Sequence, residues 1–321
     1  MWIGIFMGLA ACALWGLTYI VPLILHEYDP LYITLSRAVV MGAVSLCGII
    51  LQRKALKDIT AKDWRFAFVL TMIGNVIQCW ALMKSVEYGG AVLAGMCFGL
   101  IPVLVALIAN ERDRRKGKTF LPLSKLAVPL TAIAVGMVLS NWSELLNSVA
   151  QGNSPTRFFI GILFGLSSTA MWTWYPIRNA DWLLEHPKVS PVFWTSVQCV
   201  ILLPVGLVLY AATYMAQGGI DGVLGSRPFD YVVIMLFVGV FCSFVATALW
   251  NGMSQRVPTA LVGQMLVFET VFSVIYAHLY DWRLPTPQLA AGCVLMAGGV
   301  SYALRLFEKA SGSQADKKEN A

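Results

Sequence analysis

Charge is what this sequence has least of. Only 12% of its 321 residues are Asp, Glu, Lys or Arg, whereas 58% are hydrophobic and the mean hydropathy is +0.70. That leaves too little polar surface to coat a water-soluble core, so the chain belongs in a bilayer. Cysteine is sparse and unpatterned. All seven lie inside apolar runs, with no Cys-x-x-Cys and no Cys/His pair at ligand spacing, which argues against a disulfide framework and a zinc site. Gly-x-Ser-x-Gly and His-Glu-x-x-His are missing, and with them the common signatures of a hydrolase. His26, His186 and His278 stand far apart near the ends of apolar runs and receive no catalytic or metal role. No enzyme activity and no cofactor is expected. A ring of like charges or a filter-like loop, as a channel needs, is absent too. The net charge of +6 does not point to nucleic acid, because the basic residues sit in short loops and the tail, where membrane insertion places them. The first apolar run has neither a basic leader nor an Ala-x-Ala site, so it reads as a retained span.

What is present is long apolar runs. About 20 apolar residues cross a bilayer, and ten such runs occur, near 2–25, 30–51, 65–83, 90–109, 122–140, 158–177, 190–211, 231–250, 259–280 and 285–307. An all-α membrane protein of ten transmembrane helices follows. With the amino terminus in the cytoplasm, 18 of the 23 Lys and Arg fall inside, four outside and Arg37 within a span, which puts both termini inside. Trp2, Trp64, Trp142, Trp282 and Tyr280 sit at span ends, where amphipathic rings anchor at the interface. Asn141-Trp-Ser is a formal glycosylation sequon at a span end and reads as chance.

The chain uses its first span twice. Ile3–Trp15 and Ile160–Trp172 share seven of thirteen positions at an offset of 157, and each copy carries a Gly-x-x-x-Gly face for close helix approach in lipid. Spans two and seven align at 161 (Pro30/Pro191, Thr34/Thr195), spans four and nine at 168 (Gly95/Gly263, Asp113/Asp281), and spans five and ten at 163 (Pro122/Pro285, Gly136/Gly299). Because each half has five crossings, the second copy must enter the membrane upside down, as two inverted five-helix repeats. The expected organisation is a first repeat over 1–140, an outer loop over 141–157, a second repeat over 158–307 and a disordered cytoplasmic tail over 308–321. A site is then expected near the bilayer midplane between the halves.

Leu14-Trp15-Gly16, Pro102-Val103, Glu111, Phe268-Glu269 and the Gly292…Gly299-Val300 pattern together resemble the drug/metabolite transporter superfamily and, within it, the EamA-type ten-span transporters. The resemblance covers nearly the whole chain and rests on the order and spacing of loose motifs. Two positions depart from the pattern. Thr270 stands where Pro usually follows the span-nine Glu and would kink the span, and Asp281 replaces, at shorter spacing, the Glu that usually comes next. The resemblance implies a carrier of small molecules, usually an exporter of amino acids, metabolites or amphiphilic drugs, with a central cavity walled by helices of both halves. A flippase for a lipid or lipid-linked headgroup, from the same superfamily, is the rival reading.

Several residues are candidates for substrate binding. Glu269, near the bilayer centre, needs a partner, a wet cavity or a proton, since a charge at that depth costs about 2.5–3.5 kcal/mol; titration during transport, with protons as coupling ion, is the functional reading. Arg37 cannot shed its proton, and its depth would allow a pair with Glu269; snorkelling outward or anchoring a carboxylate are the alternatives. Thr71, Asn75 and Gln78 in span three, and Ser243, Thr247, Asn251 and Ser254 in span eight, form polar stripes at helical spacing that suit a wetted surface or bonds between helices. Trp15 with Tyr19, and Trp172 with Tyr175, could offer flat rings to an apolar or cationic ligand. Gln264 ranks lower, because it lies on a different face from Glu269. Pro102, after Gly95 and Gly99, is a candidate hinge.

Overall fold

The computed structural model describes residues 1–115, 117, 120–140, 142, 155–217 and 225–319. The outer-loop residues 143–154 and the sequon's Asn141 lie outside them. Among the described residues the chain is helical and has no strand. Ten helices are long and apolar enough to cross a membrane: Trp2–Ile24, Pro30–Leu51, Ala61–Gly90, Leu93–Arg115, Leu123–Ser140, Thr156–Glu185, Pro191–Ala216, Pro228–Ser254, Thr259–Tyr280 and Pro287–Ala310. Spans three, four and six run on past the apolar runs foretold, because polar and charged residues prolong each helix beyond its apolar stretch. The last helix likewise continues as far as Glu319, past residue 307 where the tail was expected to begin. Its continuation is rich in Ala, Glu, Lys and Gln, all good helix formers.

Local chemistry sets where the helices begin. Asp29 caps span two by accepting from Leu31 N at 2.7 Å, and Pro30 fills the first helical position, where no N–H is missed. Span three opens on a capping box. Thr60 N donates to Asp63 Oδ2 at 2.8 Å, and Asp63 N donates back to Thr60 Oγ1 at 3.3 Å. Spans seven and eight start at Pro191 and Pro228. Spans three and four are separated at Gly90, whose φ of +86° is open to glycine and strained for other residues.

The chain forms two compact units, and each draws helices from both halves of the sequence. The first comprises Met1–Thr71, Trp182–Arg256 and Phe272–Arg283. In it spans two and seven lie backbone to backbone and antiparallel. A Cβ at Gly42 would meet Leu203 N, one at Gly48 would meet Ser196 Oγ, and one at Gly206 would lie 3.0 Å from Val39 Cγ2. Span one packs on span eight, with Gly252 against Met7. A buried cluster of Val21, Leu25, Tyr28, Ile33, Tyr231 and Met235 joins the end of span one to the starts of spans two and eight.

The second unit comprises Met72–Asp181, Val257–Val271 and Leu284–Ala321. Its tightest seam joins spans five and ten. A Cβ at Gly136 would lie 2.7 Å from Gly292 O, and one at Gly299 would lie 2.8 Å from Pro129 O, so these helices also run antiparallel. Spans four and nine meet where Gly263 faces Val105. The Gly-x-x-x-Gly face of span six is used as its spacing suggests. Gly161 lies against Gly89, Gly165 lies against Ser85 and Cys97, and Ser85 Oγ donates to Gly161 O at 2.9 Å.

Candidate functional site

Six spans are irregular among the described residues; spans one and seven are interrupted at Leu17–Tyr19 and Val200–Ile201, and the other four are irregular in matching places. Span three turns π-helical over Met72–Ile77 and span eight over Val238–Val245. Span four breaks at Gly99 and Leu100, and span nine at Leu266. The offset of 168 that aligns spans four and nine also carries the first π segment onto the second and brings the two breaks within two residues of each other. Wide π turns leave the regular hydrogen-bond ladder and recur at functional sites. Interrupted spans at equivalent places of a repeat are where carriers bind their cargo. Pro102 lies in the first turn of the resumed helix, where its missing N–H is not needed. Span nine breaks without the proline that Thr270 replaces. Leu266 N donates to Gly263 O and Glu269 N to Leu266 O, both i−3 bonds.

In the second unit four of the expected residues, Asn75, Gln78, Trp172 and Tyr175, lie on spans three and six, which pack against each other. Gly74, beside Asn75, packs on the ring of Tyr175. Tyr175 stacks on Trp172 with centroids 5.0 Å apart, and Trp172 on Phe98 at 6.3 Å. Asn75 is half-buried within the π turn. Gln78, one turn on, is buried and donates through Nε2 to Ser168 Oγ at 2.9 Å, while Ser168 Oγ donates to Gln78 O at 3.2 Å. Gln78 thus joins spans three and six. Glu269 is half-buried in the first turn after the span-nine break.

In the first unit Trp15 is half-buried, its ring 5.1 Å from that of Trp250. The next residue, Asn251, is fully buried and donates to Thr195 Oγ1 at 2.8 Å, and Thr247 is buried one turn earlier. Thr71 donates to Gln198 O at 3.0 Å. Ser243 and Ser254 turn back on Val238 O and Trp250 O of their own span. The two stripes therefore supply bonds between and within helices at most positions. Tyr19 does not keep the register that would align it with Trp15. The α-helix ends at Gly16 and Leu17–Tyr19 is 3₁₀, which winds about 20° further per residue, and Tyr19 is 55% exposed. Arg37 is half-buried on span two, its carbonyl against Gly239 of the span-eight π segment.

Three features have surroundings that the sequence does not show. His186 is built into a column of rings. It lies 4.1 Å from Trp182, which lies 3.4 Å from Trp194, and Trp182 Nε1 donates to Asp63 Oδ1 at 2.8 Å. Arg112 donates to Asp181 Oδ2 at 2.6 Å and to Asp113 Oδ1 at 3.2 Å, clamping span four to span six. Gln264 is fully buried, and neither Nε2 nor Oε1 has a hydrogen-bond partner. Among the described residues no group of His, Cys, Asp or Glu could hold a metal ion.

Comparison with known proteins adds a lineage to this geometry. Residues 2–110 match the EamA-like transporter family. The chain is 34% identical over 307 residues to the inner membrane protein YtfF of Escherichia coli (strain K12), an alignment covering 94% of this chain and 95% of that one. A solved crystal structure superposes with a TM-score of 0.69 over 94% of this chain and 98% of its own, at 17% identity, which is a likeness of fold.

Proposed function

Since the chain belongs to the EamA-like transporter family, a family of membrane carriers of small molecules, we propose that it is a secondary transporter that exports small metabolites, such as amino acids or amphiphilic and cationic compounds, by alternating access. The observation that carries this reading is the symmetry of the tightest seam. Shifting Gly136 and Gly292 by the repeat offset of 163, one forward and one back, gives Gly299 and Pro129, and both pairs make the same glycine-to-carbonyl contact. Gly42 and Leu203, offset by 161, contact each other directly. Reciprocal, antiparallel contacts of this kind are what two inverted repeats related by a two-fold axis produce, and such repeats exchange conformations to open a site to each side in turn. The excess of Lys and Arg in alternate loops supports two cytoplasmic termini, and the name of the bacterial relative supports the inner membrane.

The binding surface we propose lies in the second unit and uses the rings of Trp172 and Tyr175 and the polar groups of Asn75 and Glu269, all on or beside the irregular turns. Glu269 is the coupling residue in this reading, taking up and releasing a proton as its surroundings change. A thermal-stability screen of purified protein against amino acids, polyamines, nucleosides and quaternary ammonium compounds is expected to yield a ligand, because binding to the folded state alone raises apparent stability. In proteoliposomes the wild type should then move that ligand in a pH-dependent way, and Glu269→Gln should lose the pH dependence. Transport by Glu269→Gln with an unchanged pH profile would remove proton coupling through this residue. Movement of a labelled phospholipid in place of every soluble probe would favour a flippase.

A further inference from the structure

Gln264 occupies an unusual position for an amide. It lies in the first half of span nine, Thr259–Met265, every residue of which is buried, and Gly263 beside it is held against Val105 of span four. The helix breaks at Leu266, two residues on. Gln264 itself is 0% exposed, yet both ends of its amide are unpaired. Among the described residues two other buried side-chain polar atoms lack partners, and neither makes the same demand. Thr173 carries a hydroxyl that can rotate toward a carbonyl of its own helix. Arg112 leaves only Nε unpaired while its other nitrogens hold two carboxylates. Gln264 leaves both a donor and an acceptor unpaired on one amide, and a buried donor and acceptor left together without partners destabilise the fold that holds them.

We infer that Gln264 reads the transported molecule, its amide taking from the ligand the partners that the ligand-free protein does not provide. This rests on the carrier reading above and narrows its substrate class. The amide offers N–H donors beside one carbonyl acceptor. A carboxylate would leave the carbonyl unmatched, and a quaternary ammonium would leave the N–H groups unmatched. The complementary ligand edge is neutral and carries a donor next to an acceptor, as in a carboxamide, a lactam or a nucleobase; glutamine reads adenine through such a pair.

The test uses the purified full-length chain, as wild type and as Gln264→Met, which keeps the volume and removes the polar atoms. Without ligand, Gln264→Met is expected to melt about 2–4 °C higher than wild type, because it removes an unsatisfied buried group. At a common millimolar concentration, at least one of nicotinamide, uracil and adenine is expected to raise the melting temperature of the wild type and leave Gln264→Met unmoved. Choline and benzoate should move neither through this residue. The inference is overturned if ligand-free Gln264→Met melts at or below wild type or cannot be recovered folded, which would mean the amide has a structural partner. It is equally overturned if none of the three probes stabilises the wild type, or if the stabilisation survives in Gln264→Met. Probe-dependent stabilisation without transport in proteoliposomes would strike the carrier reading and leave this site standing.

Discussion

Leucine in place of Gly292 is expected to abolish recovery of folded protein, whereas alanine in place of Gly298, further along the same helix, should be neutral or slightly stabilising. At Gly292 any side chain meets Ser140 Oγ, Gly136 O at 2.5 Å and Ser140 N at 2.8 Å, so the obstacle is mostly backbone and cannot rotate aside. Overpacking by a few carbons already costs about 1–3 kcal/mol in a core whose side chains can adjust. Here two helices would have to separate along a seam where Gly136, Gly292 and Gly299 all rest on opposing carbonyls, and lipid supplies no hydrophobic force to hold them. Gly298 is exposed, and its Cβ would meet nothing within 4 Å, so alanine there gains helix propensity of about 0.5–1 kcal/mol. The monodisperse fraction after size-exclusion chromatography in detergent, with the melting temperature of what is recovered, separates the two. A well-folded Gly292→Leu protein would mean that spans five and ten are not packed as described.

Arg112→Met is expected to be the most damaging change to a charged residue. The Arg112 side chain is 19% exposed and sits between Asp181 and Asp113, at 11% and 9%. Without the guanidinium, two nearly buried carboxylates keep their desolvation cost and lose their cation. Breaking a buried pair from one side costs about 3–5 kcal/mol, and the lower end applies where some water reaches the arginine. At roughly 2–3 °C per kcal/mol the melting temperature should fall by about 6–9 °C. Adding Asp181→Asn and Asp113→Asn should recover most of that loss, because neutral amides remove the stranded charge. A single mutant as stable as wild type would show the clamp to be a surface pair. A triple mutant no better than the single would locate the loss in packing.

Much of this fold was legible because lipid imposes simple rules. Every span appears as an apolar run, and the runs fell short where polar or charged residues prolong a helix, as in spans three, four and six and in the last helix, which hydropathy cannot see. The glycines of span six mark a close seam, and Trp172 and Tyr175, three residues apart, do stack. What the pattern hides is geometry that hydropathy does not encode. A π turn changes the register of a helix without changing its composition, so Thr71, Asn75 and Gln78 look like one stripe. In the structure Thr71 bonds span seven and Gln78 bonds span six. The 3₁₀ segment after Gly16 likewise turns Tyr19 away from the register of Trp15. Partners distant in sequence are equally invisible: Asp63 with Trp182, Trp194 with the same tryptophan, and Arg112 with Asp181 all depend on which helices become neighbours. The break in span nine forms without the proline that would announce it, because i−3 bonds around Leu266 end one helical segment and start the next.

The inversion of the repeats is the claim on which the carrier reading rests, and the sidedness of two corresponding loops tests it most directly. Lys57 is exposed in the loop between spans two and three, and Met215 is exposed in the last turn of span seven, just before the loop to span eight. In a background without the native cysteines, Lys57→Cys and Met215→Cys would be challenged in intact cells with a membrane-impermeant maleimide. Inverted repeats predict that Met215→Cys is labelled from outside, while Lys57→Cys is labelled only after the membrane is opened. Labelling of both positions from the same side would contradict the inversion and, with it, the alternating-access mechanism built on it.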